Sequence, residues 1–280
     1  MDIVEVAVCQ LNVGEDKAAN IKKARAMIGQ AAEQGARLVV LPEMFNCPYR
    51  AEVFPGFAET YPGGDTFNML SSAAEEEGIY LVGGSVPERE GERVYNASYI
   101  FGPDGSLLGR HRKIHLFDVE LPGGIRVKES STLGPGEEIT VMSTAFGPLG
   151  VVICYDIRFP ELIRLMALQG AKIIIVPAAF NMTTGPAHWD LVFRTRAVDN
   201  QLFVVAASPA RDVLAGYVAY GHSMVVDPWG GLVARAGSGE EVLTAALDFT
   251  MIDKIRSELP LLAHRRTDLY ELRSLCNCPV

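Results

Sequence analysis

Cys154 is the residue of this sequence best placed to act as a nucleophile. It follows the apolar segment 150–153 and precedes a polar turn that ends at Pro160, a residue suited to the first turn of a helix. Folds that alternate strands and helices place their sites at the carboxyl ends of strands. Backbone N–H groups at the start of a following helix can stabilise a thiolate or an oxyanion. A buried structural cysteine is the alternative interpretation.

Glu43 is the candidate general base, because it ends a second apolar segment, residues 38–42. Its neighbours Leu41, Met44 and Phe45 predict partial desolvation. Desolvation raises the pKa of a carboxyl group and makes it a better base near neutral pH. The alternative is a solvated acid on a loop.

Lys113 is the candidate cation of the site. If its segment is a strand, alternation places His111 and Lys113 on one face and Arg110 and Arg112 on the other. A buried lysine near Cys154 would lower the pKa of the thiol and bind a developing oxyanion. A solvated charged face accounts equally well for the two arginines.

Two histidines compete with Glu43 for the role of base. His111 and His115 could each pair with a cysteine, as in papain-like sites, and the residue types leave this choice open. The basic character of residues 110–115 also suggests nucleic-acid binding. The net charge of −9 counts against it, because an acidic surface repels phosphate backbones.

Other segments carry weaker signals. No G-x-G-x-x-G or Walker pattern occurs, so we expect no nucleotide cofactor. Thr184 is a candidate N-cap before Pro186, and His188 and Trp189 are expected to pack at that helix start. The pair Cys276 and Cys278 has too few ligands nearby for a metal site and is expected to form an exposed tail.

The elements that must position these residues alternate along the chain. Helices are predicted at 16–35, 67–77, 160–170, 186–201 and 251–262. Strands are predicted at 3–9, 38–41, 79–87, 94–101, 107–113, 149–154, 171–176, 202–207, 223–226, 232–235 and 242–248. This alternation predicts an α/β layer fold, with either one mixed sheet or two packed sheets.

Composition bounds the class of protein. The 280 residues contain 49% hydrophobic and 21% charged residues, a balance typical of globular proteins. Five scattered cysteines do not form a disulfide framework, and no apolar stretch is long enough to span a bilayer. The N-terminus is typical of a first strand and not of a signal peptide. We therefore expect a cytoplasmic protein that contacts neither membranes nor nucleic acid.

Three segments together resemble the nitrilase superfamily of carbon–nitrogen hydrolases: LVVLPEMF (38–45), GRHRKIHLF (109–117) and GVVICYDIRFPEL (150–162). The resemblance implies a four-layer α-β-β-α sandwich that forms a homodimer and needs no metal or organic cofactor. It implies Glu43 as general base, Lys113 as stabiliser of the tetrahedral intermediate and Cys154 as nucleophile. It also implies one catalytic domain over residues 1–272, followed by a tail over 273–280.

A second glutamate supports the triad in this family, and Glu129 is the matching candidate. Related sequences have an aromatic residue two positions earlier, where this chain has Val127. The resemblance also suggests an oxyanion contact from the backbone N–H of Tyr155. Arg158, four residues after Cys154, is the candidate ligand of the substrate's distal carboxylate, and Phe180 and Thr184 are expected to line the same pocket. The alternative for Arg158 is an ion pair with Asp156 or Glu161.

Four further segments resemble the omega-amidase branch: LPEMFNCPY (41–49), FNMTTGPAHW (180–189), RAVDNQLFVVAASPARD (196–212) and YGHSMVVDPWG (220–230). This branch hydrolyses the terminal amide of 2-oxoglutaramate and 2-oxosuccinamate. The alternatives are a deaminated glutathione amidase, a carbamoyl-amine or aliphatic-amide hydrolase, and a non-catalytic interaction scaffold that uses the same fold.

Overall fold

The computed structural model describes residues 3–121 and 125–275, so the predicted exposed tail at Cys276 and Cys278 lies outside the described residues. The helices are α1 (Lys17–Glu33), α2 (Phe54–Phe57), α3 (Asp65–Glu77), α4 (Pro160–Leu168), α5 (Thr184–Asn200) and α6 (Thr250–Glu258). Two 3₁₀ turns cover Glu129–Ser131 and Cys154–Arg158.

The first nine strands are β1 (Ile3–Gln10), β2 (Leu38–Val40), β3 (Glu59–Thr60), β4 (Tyr80–Val82), β5 (Val86–Glu90), β6 (Arg93–Phe101), β7 (Leu107–Arg112), β8 (Asp118–Leu121) and β9 (Ile125–Lys128). The others are β10 (Thr140–Thr144), β11 (Gly147–Val151), β12 (Ile173–Pro177), β13 (Phe203–Ala207), β14 (Met224–Val226), β15 (Leu232–Arg235) and β16 (Glu241–Asp248).

The helix α1 shows how local sequence sets an element. Asp16 caps its start by accepting a hydrogen bond from the backbone N–H of Ala19 at 3.1 Å. Its buried side chains recur every three or four residues, which is the spacing of one helical face. Gly35, with a φ of 90°, then turns the chain toward β2.

Two large sheets form the centre of the molecule. The first has the order β16-β1-β2-β4-β6-β5-β3, with β7 also paired to β6. The second has the order β10-β11-β12-β13-β14-β15, and β8 and β9 form a separate hairpin. Both large sheets mix parallel and antiparallel pairs, as the pattern of connections predicted.

Alternation along single strands shows how the sheets stack. In β12, Ile173 and Ile175 join a core shared with the first sheet, whereas Ile174 and Val176 pack among residues of α4 and α5. In β1, Val6 faces the shared core and the next residue faces α1 and α3. The order is therefore helix, sheet, sheet, helix, and the expected α-β-β-α sandwich is confirmed.

The predicted single strand over residues 79–87 is wrong. Two strands, β4 and β5, occupy this region, and the chain breaks between them at Gly84, which has a φ of 55°. A Cβ on Gly84 would lie 2.2 Å from the carbonyl oxygen of Pro42. The break thus brings the backbone against the residue that precedes Glu43.

Three other details differ from the sequence expectations. β11 ends at Val151, so Cys154 begins a 3₁₀ turn instead of ending the strand. Thr184 is not the cap of α5, because Oδ1 of Asn181 accepts the backbone N–H groups of Thr183 and Thr184 at 3.0 and 2.9 Å. The strands β8, β9 and β10 were not predicted, because their short segments lack a continuous apolar run.

Candidate active site

Glu43, Lys113 and Cys154 meet in the interior although each comes from a different part of the chain. Glu43 follows β2, Lys113 follows β7 directly, and Cys154 opens the 3₁₀ turn after β11. Glu43 is 1% exposed, Lys113 0% and Cys154 5%. The predicted desolvation of Glu43 is therefore confirmed, and the alternative of a solvated acid on a loop is wrong.

Lys113 lies between two carboxylates. Its Nζ is 2.9 Å from Oε1 of Glu43 and 2.9 Å from Oε1 of Glu129, which is also fully buried. Burial lowers the pKa of the ammonium group, but the two carboxylates outweigh burial and raise this pKa well above its usual value. Lys113 is therefore a permanent positive charge in the site.

Glu43 is held by several groups besides Lys113. Asn96 donates to Oε1 at 2.9 Å, and the backbone N–H of Ala179 donates to Oε2 at 2.9 Å. The hydroxyl of Tyr49 lies 3.5 Å from Oε1, and the neighbouring Cys154 thiol lowers the pKa of the carboxyl group. Burial raises the pKa of Glu43, Lys113 opposes this rise, and Glu129 adds to it.

Cys154 rests as a neutral thiol. Burial and the Glu43 carboxylate raise its pKa well above the usual value, although Lys113 and the backbone N–H of Ala179 act in the opposite direction. Lys113 thus lowers the thiol pKa as expected, but the net shift is upward. A nucleophile at this position must transfer its proton to a base as it attacks.

The backbone of Cys154 is unusual. Its φ is 48°, in the left-handed region that non-glycine residues rarely adopt. Such strain persists where surrounding contacts fix the conformation, and it is common at functional sites. Here β11 and the 3₁₀ turn hold Cys154 on either side.

Two tyrosines that the sequence did not indicate complete the surroundings of the carboxylates. Tyr49 donates to Oε1 of Glu129 at 2.7 Å, and its ring lies 4.5 Å from that of Tyr217. The hydroxyl of Tyr217 donates to the carbonyl oxygen of Ala179. Tyr49 lies six residues after Glu43, but nothing in its local pattern separates it from a core tyrosine. Asn96 lies within a predicted strand, and its local pattern likewise gives no sign of a role in the site.

Oε2 of Glu129 accepts the backbone N–H of Phe117 at 2.7 Å. The glutamate thereby joins the 3₁₀ turn after β9 to the segment that follows Lys113. Val127, where relatives carry an aromatic residue, lines a surface cavity of about 510 Å³ together with Glu129 and Tyr217. A cavity of about 60 Å³ lies beside Glu43, and Tyr49 and Tyr217 line both cavities.

The two histidines bind Asp156. Nε2 of His111 lies 3.3 Å from Oδ2 of Asp156, and Nδ1 of His115 lies 2.8 Å from Oδ1. Glu43, and neither histidine, is among the groups that shift the pKa of the Cys154 thiol. The alternation expected along β7 is correct, because His111 and Lys113 are buried while Arg110 and Arg112 reach Glu88.

Arg158 is half-buried and has no carboxylate partner among the described residues, so the alternative interpretation, an ion pair with Asp156 or Glu161, is wrong. Its guanidinium carbon lies 4.6 Å from the centre of the Phe180 ring, and Nη1 lies 3.2 Å from Nδ1 of His188. Burial lowers the pKa of Arg158, and Cys154 is among the groups that oppose this shift.

The two remaining predicted pocket residues are engaged with the protein. The ring of Tyr155 packs against Phe117 and Phe159 at 5.0 and 5.3 Å. The hydroxyl of Thr184 lies 3.1 Å from Oδ1 of Asn181. Within residues 3–121 and 125–275, no group of His, Cys, Asp or Glu side chains is arranged to hold a metal ion. The helices in these ranges are also too short or too polar to cross a membrane.

A buried thiol beside a glutamate and a charged lysine, carried on an α-β-β-α sandwich, defines a thiol-dependent hydrolase of the nitrilase type. The sequence model described as carbon-nitrogen hydrolase matches residues 5–257. The chain belongs to this family.

Relatives and solved structures agree. Omega-amidase NIT2 of Danio rerio is 50% identical over 275 residues, which cover 98% of this chain and 99% of that protein. The crystal structure of Saccharomyces cerevisiae Nit3, a member of branch 10 of the nitrilase superfamily, has a TM-score of 0.88 and 45% identity and covers 95% of this chain and 97% of that one. An amidase mutant from Nesterenkonia sp. AN1, with an acetamide moiety on its active-site cysteine, has a TM-score of 0.76 and 25% identity, with 95% of each chain covered.

Proposed function

We propose that this chain is a cysteine-dependent omega-amidase that hydrolyses the terminal amide of a small dicarboxylic monoamide such as 2-oxoglutaramate. One observation carries the chemistry: Nζ of Lys113 lies 2.9 Å from Oε1 of Glu43, and the neighbouring Cys154 thiol lowers the pKa of the same carboxyl group. The identity to omega-amidases over nearly the whole chain supports the substrate class. The cysteine adduct of the related amidase supports the nucleophile.

In the first half-reaction, the sulfur of Cys154 attacks the amide carbon while the carboxylate of Glu43 takes the thiol proton. The resulting oxyanion is stabilised by the ammonium group of Lys113 and by the backbone N–H of Tyr155. The carbon–nitrogen bond then breaks, and Glu43 gives its proton to the leaving nitrogen. Ammonia departs, and the acyl group remains on Cys154 as a thioester.

In the second half-reaction, Glu43 removes a proton from water as the water oxygen attacks the thioester carbon. The carbon–sulfur bond breaks, and the proton returns to the sulfur of Cys154 to restore the thiol. Glu129 supports both steps by holding Lys113 and Tyr49 in place, since it hydrogen-bonds to each. These steps use only side chains, one backbone N–H group and water.

Arg158 is the proposed ligand of the distal carboxylate. It has no carboxylate partner among the described side chains, and it is held in place by Phe180 and His188. A guanidinium group binds a carboxylate through two parallel hydrogen bonds, which fixes the substrate's orientation as well as its charge. Phe180 and Thr184 would line the same pocket.

The proposed assembly is a homodimer of a single catalytic domain, residues 1–272, in the cytoplasm. An apolar groove of about 460 Å³ runs along α5, where Leu191 is 66% exposed and Trp229 is 61% exposed. Apolar surface of this kind marks an interface. A two-fold axis would pack the groove of one copy against the same groove of a second copy. The described cysteines, Cys9, Cys47 and Cys154, are free thiols, which supports a reducing compartment.

The test is ammonia release from 2-oxoglutaramate, with Cys154→Ala as the control. Release by the wild-type protein that disappears in the variant supports both the nucleophile and the substrate. If the wild type releases no ammonia while Cys154 still reacts readily with iodoacetamide, the substrate proposal is wrong and the hydrolase proposal stands. Deaminated glutathione and carbamoyl amines would then be the substrates to try.

A further inference from the structure

Asp156 lies two residues after Cys154 and is fully buried. Both of its carboxylate oxygens are saturated with donors. Oδ1 accepts the backbone N–H and the Nδ1 of His115, each at 2.8 Å. Oδ2 accepts Nε2 of His111 at 3.3 Å and the backbone N–H groups of Ile114 and Ile153 at 3.4 and 3.1 Å.

These donors come from two segments that are far apart in sequence. His111, Ile114 and His115 surround Lys113 at the exit of β7, in the first sheet. Ile153 precedes Cys154 at the exit of β11, in the second sheet. One carboxylate therefore ties the backbone around Lys113 to the turn that carries the thiol.

We infer that Asp156 is a positioning residue that sets where the Lys113 ammonium lies relative to the Cys154 sulfur. The inference rests on the proposed roles of Lys113 and Cys154. Asp156 itself takes no part in proton transfer, because every hydrogen bond that it accepts comes from the protein scaffold.

The charge state of Asp156 agrees with this role. Burial raises the pKa of its carboxyl group, but the hydrogen bonds from His111 and His115 outweigh burial and hold the pKa below its usual range. Asp156 therefore stays ionised and accepts all five hydrogen bonds throughout the neutral range. The imidazole of His115 is fixed in turn, because it stacks on Phe159 at 3.6 Å.

The decisive variant is Asp156→Asn. The asparagine side chain has the same shape as that of Asp156, but one carboxylate oxygen is replaced by an NH₂ group. Each oxygen of Asp156 accepts at least two N–H donors. In either orientation of the amide, the NH₂ group therefore faces N–H donors that it cannot accept. The two segments should separate. We expect kcat to fall at least about tenfold, with KM changed by less than about twofold.

A second readout does not depend on the substrate. Lys113 lowers the pKa of both the Cys154 thiol and Glu43, so moving it away shifts the pH dependence of iodoacetamide alkylation to higher pH. Removing the Asp156 charge without any movement would instead favour the thiolate and shift the profile to lower pH. A shift to lower pH, or no shift, overturns the inference. Because alkylation needs no amide substrate, a failed substrate proposal would leave this readout intact.

Glu88→Gln is the matched control. Like Asp156, Glu88 is fully buried; it lies on β5 in the first sheet and accepts hydrogen bonds from Tyr99 at 2.8 Å and from Arg110 at 3.1 Å. It does not contact the turn of Cys154. This variant should lose stability while its kcat and alkylation profile stay unchanged. An equal loss of kcat in both variants would reduce Asp156 to a general structural role.

His115→Phe keeps the inference testable if Asp156→Asn does not fold. Phenylalanine preserves the stacking on Phe159 and removes only the Nδ1 donor to Oδ1. We expect a smaller decrease in kcat and a smaller shift of the alkylation profile, both in the same directions. A folded His115→Phe protein with wild-type values for both would contradict the inference.

Discussion

Nζ of Lys113 lies 2.9 Å from Oε1 of Glu43, and both side chains are fully buried. An isolated charge at this depth would be neutralised by a shift of its pKa, so each group stays charged because the other is present. The two groups have different functions in the proposed reaction, proton transfer and stabilisation of negative charge. Glu43 accepts and donates protons, whereas Lys113 stays protonated and supplies a constant positive charge.

The first prediction concerns pH. Burial raises the pKa of Glu43 above its ordinary value of 4.5. A base acts only when deprotonated, so alkylation of Cys154 by iodoacetamide should increase as pH rises through this elevated pKa. In Glu43→Gln the rise of the alkylation rate at acidic pH, called the acid limb of the profile, should be missing. Alkylation should then require a higher pH, at which the thiol itself ionises. Alkylation rates measured by mass spectrometry from about pH 4 to about pH 9 check this. An unchanged acid limb in the variant would remove Glu43 as the base.

The second prediction concerns the other carboxylate of the site. Glu129→Gln removes one of the two negative charges beside Lys113 but keeps an acceptor for Tyr49. We expect kcat to fall about 10- to 100-fold with a small change in KM, because the lysine is held less firmly. Steady-state ammonia release measures both constants.

Glu59→Gln is the control for this variant, because Glu59 also pairs with a lysine, Lys17, outside the site. Its kcat should equal that of the wild type. Equal losses in the two variants would show that Glu129 has no specific role.

The third prediction concerns substrate binding. Arg158→Ala should raise KM for 2-oxoglutaramate by the equivalent of about 1.5–3 kcal/mol, the value of lost charge-assisted hydrogen bonds. Arg158→Lys should recover part of the loss, since a point charge replaces the bidentate group. Turnover of butyramide, which has no distal carboxylate, should be the same in all three proteins. A KM for 2-oxoglutaramate that stays at the wild-type value in Arg158→Ala would exclude Arg158 from the pocket.

The fourth prediction concerns the backbone behind Glu43. Gly84→Ala should lower the free energy of unfolding by about 2–4 kcal/mol, through the cost of positive φ and the clash with Pro42. Gly91→Ala is the control, because Gly91 has a similar φ of 59° but no atom within 4 Å of the added Cβ. It should cost only about 1–2 kcal/mol. Urea unfolding measures both, and equal costs would mean that the contact with Pro42 is easily relaxed.

The fifth prediction concerns assembly. Leu191→Asp places a charge in the apolar groove along α5 and should convert the proposed dimer to a monomer in sedimentation velocity experiments. Leu214→Asp is the control, since Leu214 is 92% exposed and lies outside the groove. Its sedimentation should match the wild type. A Leu191→Asp protein that stays dimeric would place the interface elsewhere.

Much of the architecture followed from local patterns. The helix α1 and the strands β6 and β7 were predicted, because helical periodicity and runs of strand-forming residues act over a few neighbouring positions. The break at Gly84 was missed, because two short apolar strands separated by glycines look like one longer strand in sequence. The hairpin of β8 and β9 was missed for a related reason, since its strands bury no continuous apolar face.

The sequence by itself determined which residues of the site have reactive side chains and in what order they occur. Glu43 follows a predicted strand, Lys113 and Cys154 each end one, and the resemblance of the surrounding segments assigned the three residues their roles. Such assignments depend on residue type and near neighbours, and both are present in the chain.

Only the tertiary structure decided how these residues are partnered. It gave Lys113 two carboxylates, placed the amide of Asn96 against Glu43, and directed His111 toward Asp156. These pairings join residues from separate strands and from both sheets. No local pattern contains them, because the distances between such groups are set by how the two sheets pack together.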